Sequence, residues 1–233
     1  MLTKLIKELQ DARDPKQATL LQRFFKTGPG QYGEGDKFLG IKVPIQRVIA
    51  KKYTGLNLVQ LQKLLNSKVH EHRLVALLIL VNKFKRSNEK TKGDIFNFYL
   101  KNTKNINNWD LVDLTAHKIV GAFLDNKKRD KLYELAESKS LWEKRISIIS
   151  CFWFIKDEDF IDALRISEIL LNDSHDLIHK AVGWVLREIG KKDRVIEENF
   201  LKKHYKVMPR TMLRYAIEKF PEELRKKYLK RKI

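Results

Sequence analysis

Densely apolar segments recur along the whole chain at a spacing of roughly 35 residues. Each segment begins with polar or basic residues, and its central residues are apolar with the periodicity of a helix. Shorter amphipathic stretches lie between the segments. The segments are 71–84, 109–123, 142–155, 178–190 and 210–220, and the stretches are 93–102, 130–138 and 160–171. Paired helices at such a period are typical of an α-solenoid, in which each pair buries its apolar face against its neighbours. A globular helical bundle is the alternative.

No convincing alternating strand pair interrupts this pattern, so it predicts an all-α fold. We expect one domain, residues 1–233, built as a superhelix (solenoid) of degenerate helical repeats and ending in a basic tail at 225–233. In the segment 173–190, Asp173 or Ser174 is a candidate N-cap and Gly190 is a candidate helix stop.

A glycine-rich stretch at 27–44 is the exception to the helical pattern, with five of the ten glycines. A nucleotide-binding loop would have a strand before it and Gly-Lys-Ser/Thr at its end, and neither is present. The stretch is therefore predicted to be an ordered surface loop. We expect Phe38, Leu39 and Ile41 to anchor it and Pro44 to begin the next helix.

The net charge of +19, from 48 Lys+Arg against 29 Asp+Glu, favours a polyanionic partner, mainly nucleic acid. The alternative is an ordinary cytosolic protein with many surface lysines. Cys151 is the single cysteine, so the chain has no disulfide framework. The start of the chain lacks a secretory signal, and the apolar stretch 74–81 is too short to span a bilayer. We expect a soluble cytoplasmic protein.

Carboxylates interrupt the apolar pattern in the segment 106-INNWDLVDLTAHKIVG-121. On a helix, Trp109 and Asp113 are four residues apart and share a face, whereas Asp110 lies about a quarter-turn away. Asp110 is expected to be a helix-start or structural residue. The alternative for the other two is a core tryptophan and a carboxylate paired with a nearby arginine.

A second tryptophan is flanked by cations in 178-IHKAVGWVLREIGKK-192. Lys180, Trp184, Arg187 and Lys191 fall at successive helical spacings on one face. Such a stripe suits a groove wall, where cations meet phosphates and the aromatic face meets a base or sugar.

Further residues line up in helical register elsewhere: Arg145, Phe152 and Lys156 in one segment, and Arg210 and Arg214 in another. Equivalent helices of a solenoid face the same side, so we expect these stripes to merge into one concave basic groove.

The histidines form no convincing metal site. His175 and His179 have the spacing of a zinc pair, but the stretch lacks the glutamate of a zinc protease and a third ligand. His70 and His72 are close together without further ligands. No motif supports Ser–His–Asp or Cys–His catalysis either, and we predict no metal and no cofactor.

Four elements together resemble the bacterial DNA alkylation-repair glycosylases of the AlkD type. They are 38-FLGIKVP-44, 109-WDLVD-113, Arg145 within 142-WEKRISIIS-150, and 181-AVGWVLRE-188. The resemblance covers essentially the whole chain. The fold of that family, a superhelix of HEAT-like repeats, agrees with the period of the apolar segments.

The resemblance implies roles for individual residues. Asp113 matches the catalytic carboxylate, and Trp109 and Trp184 match the aromatic pair that packs around the damaged nucleotide. Arg145 matches a residue that contacts DNA beside the lesion, and Arg187 matches another DNA-contacting arginine. The remaining cations expected on the DNA backbone are Lys156, Lys180, Lys191, Arg210 and Arg214.

The glycine-rich loop departs from the best-known members, whose N-terminal helix supplies an aromatic side chain near the site. Phe24, Phe25 and Tyr32 are the candidates for that place. The implied function is base excision repair, by hydrolysis of the N-glycosidic bond of cationic N3- and N7-alkylated purines in double-stranded DNA. We expect a monofunctional, monomeric enzyme without a membrane partner. The alternative is a non-catalytic HEAT-repeat protein that binds nucleic acid or serves as a protein scaffold.

Overall fold

Helices follow one another along the whole chain in the computed structural model, which describes residues 1–233. The α-helices are α1 (Leu2–Asp11), α2 (Pro15–Phe24), α3 (Val43–Lys52), α4 (Leu58–Leu65), α5 (His70–Phe84), α6 (Glu89–Lys101), α7 (Trp109–Ala116), α8 (Asp130–Ala136), α9 (Leu141–Ser150), α10 (Phe152–Ile155), α11 (Ile161–Ile169), α12 (Asp176–Lys192), α13 (Arg194–His204), α14 (Arg210–Ala216) and α15 (Glu222–Leu229). Short 3-10 helices lie at Thr103–Asn105 and Ile217–Lys219, and a π-helical turn at His117–Gly121 follows α7. The predicted all-α class is confirmed.

The recurring apolar segments form helices with many buried residues. They correspond to α5, α7 with its π-helical turn, α9 with α10, α12, and α14 with its 3-10 helix. The amphipathic stretches between them correspond to α6, α8 and α11. Periodicity alone therefore located these elements, because an apolar face that recurs every three to four residues has to be buried on one side.

Two compact units divide the chain, Met1–Thr115 and Ala116–Ile233. In the first, α5 is the central helix: twelve of its fifteen residues are buried, and it packs against α3 and α4. In the second, α12 contacts α9, α13 and α14. The single domain expected from the sequence stays a prediction.

The ends of α12 differ from the sequence prediction. The N-cap is His175, whose Nδ1 accepts a hydrogen bond from the Leu177 amide (3.1 Å), and not Asp173 or Ser174. The helix also continues past Gly190 to Lys192. A Cβ at Gly190 would overlap the buried Glu197 carboxyl of α13, so the glycine leaves room for that side chain against α12. Burial raises the pKa of Glu197 to about 8, so a neutral carboxyl occupies this tight contact at pH 7.

The glycine-rich loop is anchored as predicted, with Phe38 and Ile41 buried and Leu39 half-buried, and Pro44 lies in the first turn of α3. The fully buried carboxylate of Glu71 accepts hydrogen bonds from three successive backbone amides, those of residues 39 to 41, at 2.9, 2.8 and 3.2 Å. These bonds satisfy donors that the loop would otherwise bury unpaired.

Gly40 is required for the same anchoring. Its φ of +86° lies in the left-handed region, and a Cβ would collide with the Asp14 carbonyl at the start of α2. Downstream, the basic tail is helical to the end of α15 and is held by Tyr228, which is buried against Tyr205 and Phe220. No helix has the length and apolar character needed to cross a membrane.

Candidate active site around Trp109 and Asp113

The site begins at the first turn of α7, where Asn108 caps the helix. The Asn108 side chain accepts a hydrogen bond from the Trp109 amide (2.8 Å), and its backbone carbonyl accepts one from Val112 (3.2 Å). Val112 is fully buried, whereas Trp109 and Asp113 are half-buried. The helix therefore carries the aromatic ring and the carboxylate one turn apart, as the spacing predicts.

Aromatic side chains from the end of α2 and the glycine-rich loop hold Trp109 in place. Phe25 stacks on the indole with ring centroids 5.1 Å apart and an interplanar angle of 26°. Phe24 meets it edge-on at 5.8 Å, and the indole N–H donates to the Tyr32 hydroxyl (3.2 Å). All three N-terminal aromatics considered from the sequence thus contact Trp109. Of the three, Phe24 is exposed, with 61% of its surface accessible to solvent.

Asp113 lies close to the hydroxyl of Tyr99, a fully buried residue of α6. Burial raises the pKa of Tyr99, and the negative charge of Asp113 raises it further. The phenol therefore stays neutral at physiological pH, with its hydroxyl 2.9 Å from that of Thr115.

Asp110 is a buried structural residue, as its position on the helix suggested. Its carboxylate lies 2.8 Å from Nε2 of His70, and Nδ1 of His70 lies 3.3 Å from the carboxylate of Asp36. Arg73 donates to the same Asp36 oxygen at 2.6 Å. With His70 protonated, this buried chain holds two positive and two negative charges, which compensate one another.

The proton on His70 is held by its two carboxylate neighbours. Burial acts to lower the pKa of His70, but the charge of Asp110 and hydrogen bonds to Asp110 and Asp36 outweigh burial and raise it to about 9. The hydrogen bond from His70 and the charge of Arg73 likewise lower the pKa of Asp36 against the opposing effect of burial.

Stability is therefore expected to fall in alkaline solution. The folded protein holds the His70 proton more tightly than the unfolded chain, whose histidines titrate near pH 6.5. This contribution is fully present below pH ~6.5 and is lost as the pH rises through about 9. We expect the free energy of unfolding in urea to fall by roughly 2–3 kcal/mol more in wild type than in His70→Gln across that range. Parallel curves for the two proteins would contradict a protonated His70.

The predicted stripe on α12 lies on one face of that helix. Lys180, Trp184, Arg187 and Lys191 are half-buried or exposed, while the residues between them that face α9 and α14 are buried. The Trp184 indole N–H donates to Glu188 (3.2 Å), and its ring lies 4.6 Å from that of Phe152. The tryptophan is thus fixed at the surface and is not a core residue.

Sequence reasoning missed the carboxylates that accompany this stripe. Lys180 pairs with Asp176 (2.6 Å) and Lys191 with Glu188 (2.7 Å). Arg187 pairs with Glu218 and lies 3.6 Å from Glu188. The two lysine pairs have i, i+4 and i, i+3 spacing and were visible in the sequence, whereas the pairing with Glu218 depends on the packing of α12 against α14.

The other predicted DNA contacts have different surroundings. Arg145 is buried, and its guanidinium donates to the Leu177 carbonyl (2.5 Å). Lys156 is exposed and lies over the Trp153 ring, 3.5 Å from its centroid. Arg210 donates to the Leu229 carbonyl (3.1 Å), and Arg214 is exposed without an ion-pair partner. The role of each in DNA binding stays a prediction.

The histidines with zinc-like spacing are accounted for by backbone contacts. His175 caps α12, and Nε2 of His179 lies 2.5 Å from the Asp173 carbonyl. No group of three or more His, Cys, Asp or Glu side chains is arranged to hold a metal ion.

Comparisons with known proteins agree with the fold and with the resemblance. A family model described as DNA alkylation repair enzyme matches residues 5–220. A solved structure titled "Predicted DNA alkylation repair enzyme from Enterococcus faecalis" has a TM-score of 0.70 at 16% identity, covering 90% of this chain and 97% of that one. The crystal structure of AlkD2 from Streptococcus mutans gives 0.57 at 17%, covering 89% and 98%. A search of curated proteins finds no match. The two structures confirm the predicted helical-repeat fold class.

Proposed function

Because the chain belongs to the DNA alkylation repair enzyme family, we propose that it is a DNA glycosylase. It hydrolyses the N-glycosidic bond of cationic N3- and N7-alkylated purines in double-stranded DNA. The observation that carries this proposal is the placement of Trp109 and Asp113 one turn apart on the same face of α7, with the indole held by Phe25 and Tyr32.

The chemistry requires a negative group at the sugar and little else. Alkylation at N3 or N7 makes the purine cationic, so the bond from C1′ to the base is already weakened. As that bond breaks, its electron pair neutralises the departing base and positive charge develops on the deoxyribose. The Asp113 carboxylate stabilises this charge and orients the water that adds to C1′, whose proton passes to the carboxylate or to solvent.

Trp109 supplies a fixed aromatic wall beside that carboxylate. Phe25 covers one face of the indole and Tyr32 engages its N–H, so the ring is held before any ligand arrives. The part of the side chain that stays exposed attracts a cationic base or the polarised C–H groups of the sugar. Trp184, fixed by Glu188 and Phe152, is proposed as the second aromatic contact.

DNA affinity is proposed to come from the basic residues of the second unit. Arg145 is assigned to the DNA beside the lesion, where a buried guanidinium is already oriented by the Leu177 carbonyl. The backbone contacts are Lys156, Lys180, Arg187, Lys191, Arg210 and Arg214. Four of these, Lys156, Lys180, Arg187 and Lys191, are paired with carboxylates, so phosphates have to compete with existing ion pairs. The proposed enzyme is a cytoplasmic monomer and uses no cofactor.

A base-release assay on methylated duplex DNA tests the function. We expect the wild-type protein to release N7-methylguanine and N3-methyladenine and to leave abasic sites that break only after alkali treatment. Strand breaks without alkali would contradict a monofunctional enzyme. Tight DNA binding with no base released would support the non-catalytic alternative and overturn the glycosylase.

A further inference from the structure

A polar cavity of about 240 Å³ lies in the first unit, beside the segment that leads into α7. It is formed by the end of α4 and the residues after it, part of the glycine-rich loop, and residues 104–107. Asn107, on its wall, is two residues before Trp109. The cavity therefore adjoins the candidate active site along the chain, within the same unit.

Two lysines whose side chains have no hydrogen-bond or ion-pair partner line this cavity. The side chains of Lys68 and Lys104 are exposed, and neither takes part in a hydrogen bond or an ion pair. This distinguishes them from Lys180 and Lys191 on α12, which are both engaged by carboxylates. An ammonium group without a protein counterion gains more from an arriving anion, because no existing pair has to be broken.

The carboxylates of the lining do not cancel these charges. Asp36 is engaged by Arg73, also part of the lining, and by His70. Glu34 accepts a hydrogen bond from the Gly30 amide (2.8 Å), which directs one of its oxygens to the loop backbone. The lining as a whole holds three cations and two carboxylates, so its net charge is positive.

The size and polarity of the cavity indicate what kind of ligand it can hold. It is smaller than the roughly 300–1,000 Å³ that drug-sized ligands and cofactors occupy, and its walls are mainly polar where such sites are mainly apolar. One tetrahedral anion between two ammonium groups fits both properties. We propose that this cavity binds one backbone phosphodiester of the DNA, held between Lys68 and Lys104. The inference rests on the proposed function, since it takes duplex DNA as the ligand.

The salt dependence of DNA binding tests this contact. For duplex DNA, each neutralised phosphate contributes about 0.9 to the slope of log K against log salt concentration. The double variant Lys68→Gln/Lys104→Gln is expected to lower the slope by about 0.9, and each single variant by clearly less, because the remaining lysine still reaches the phosphate. A fall of about 1.8 in the double variant would mean two separate phosphates and would overturn a shared site.

The matched control is Lys85→Gln/Lys90→Gln, which removes two exposed, unpaired lysines of the first unit that do not line the cavity. Equal slopes in this control and the test variant would overturn the proposal. A further outcome is that free phosphate, and not DNA, is the ligand of this cavity. Inorganic phosphate at constant ionic strength would then raise the melting temperature of the wild type but not of the Lys68→Gln/Lys104→Gln variant. The slope of log K for DNA would be the same in both proteins, and the proposal would be overturned. Base release by the wild type is measured in a separate experiment. If the slope changes as expected but no base is released, the phosphate contact stands and only the proposed glycosylase activity is contradicted.

Discussion

Asp113→Asn is expected to lower the rate of N7-methylguanine release from methylated duplex DNA by at least about 100-fold. The amide has nearly the same shape as the carboxylate but cannot offset positive charge on the deoxyribose. Single-turnover release kinetics measure this step directly. Because the substitution leaves the positive DNA-binding residues unchanged, affinity for the same duplex is expected to stay within a few-fold of wild type.

Asp94→Asn is the matched control for this change. Asp94 is an exposed carboxylate of α6 in the same unit, so its substitution alters the net charge equally without touching the site. We expect Asp94→Asn to release base at the wild-type rate. A wild-type rate in Asp113→Asn would remove Asp113 from the mechanism. Equal losses in both variants would point to net charge and not to a positioned carboxylate.

The sequence identified the helices and the face that Trp109 and Asp113 share, because both depend on spacing within a single helix. A period of 3.6 residues places positions four apart on one side whatever the rest of the chain does. The same local logic located α12 and its surface stripe. It misplaced both ends of α12, since His175 caps the start and the helix continues past Gly190 to Lys192.

Contacts between distant parts of the chain could not be predicted in this way. Periodicity left open which of the N-terminal aromatics approaches Trp109, since their positions depend on how the glycine-rich loop folds back onto α5. In the sequence, His70 is notable only for lying close to His72, without further metal ligands. In the structure it bridges two carboxylates, one of them 40 residues away. A buried histidine next to apolar helix residues was the available signal, but its partners become apparent only in three dimensions.

The two aspartates of α7 differ in their surroundings. Asp110 has a protonated histidine at 2.8 Å and belongs to a compensated chain of charges. Asp113 is half-buried, and its charge acts on the buried hydroxyl of Tyr99. A carboxylate already neutralised by a buried cation has little charge left to stabilise a sugar cation, so Asp110 does not suit that role.

Asp110→Ala is accordingly expected to destabilise the fold, by about 3–5 kcal/mol. The substitution removes one partner of a buried ion pair and leaves His70 with only Asp36, whose carboxylate also serves Arg73. Urea unfolding at pH 7 measures the loss. Asp110→Asn is the milder variant, because its amide oxygen can still accept the hydrogen bond from Nε2 of His70.

A double-mutant cycle with His70→Gln separates the lost pairing from lost packing. If the cost of Asp110→Ala comes from the stranded imidazolium, the same substitution made in a His70→Gln background is expected to cost clearly less. Additive losses would instead assign the effect to packing around the start of α7. A loss below about 1 kcal/mol in the single variant would contradict a buried, protonated His70, since such small values are typical of exposed ion pairs.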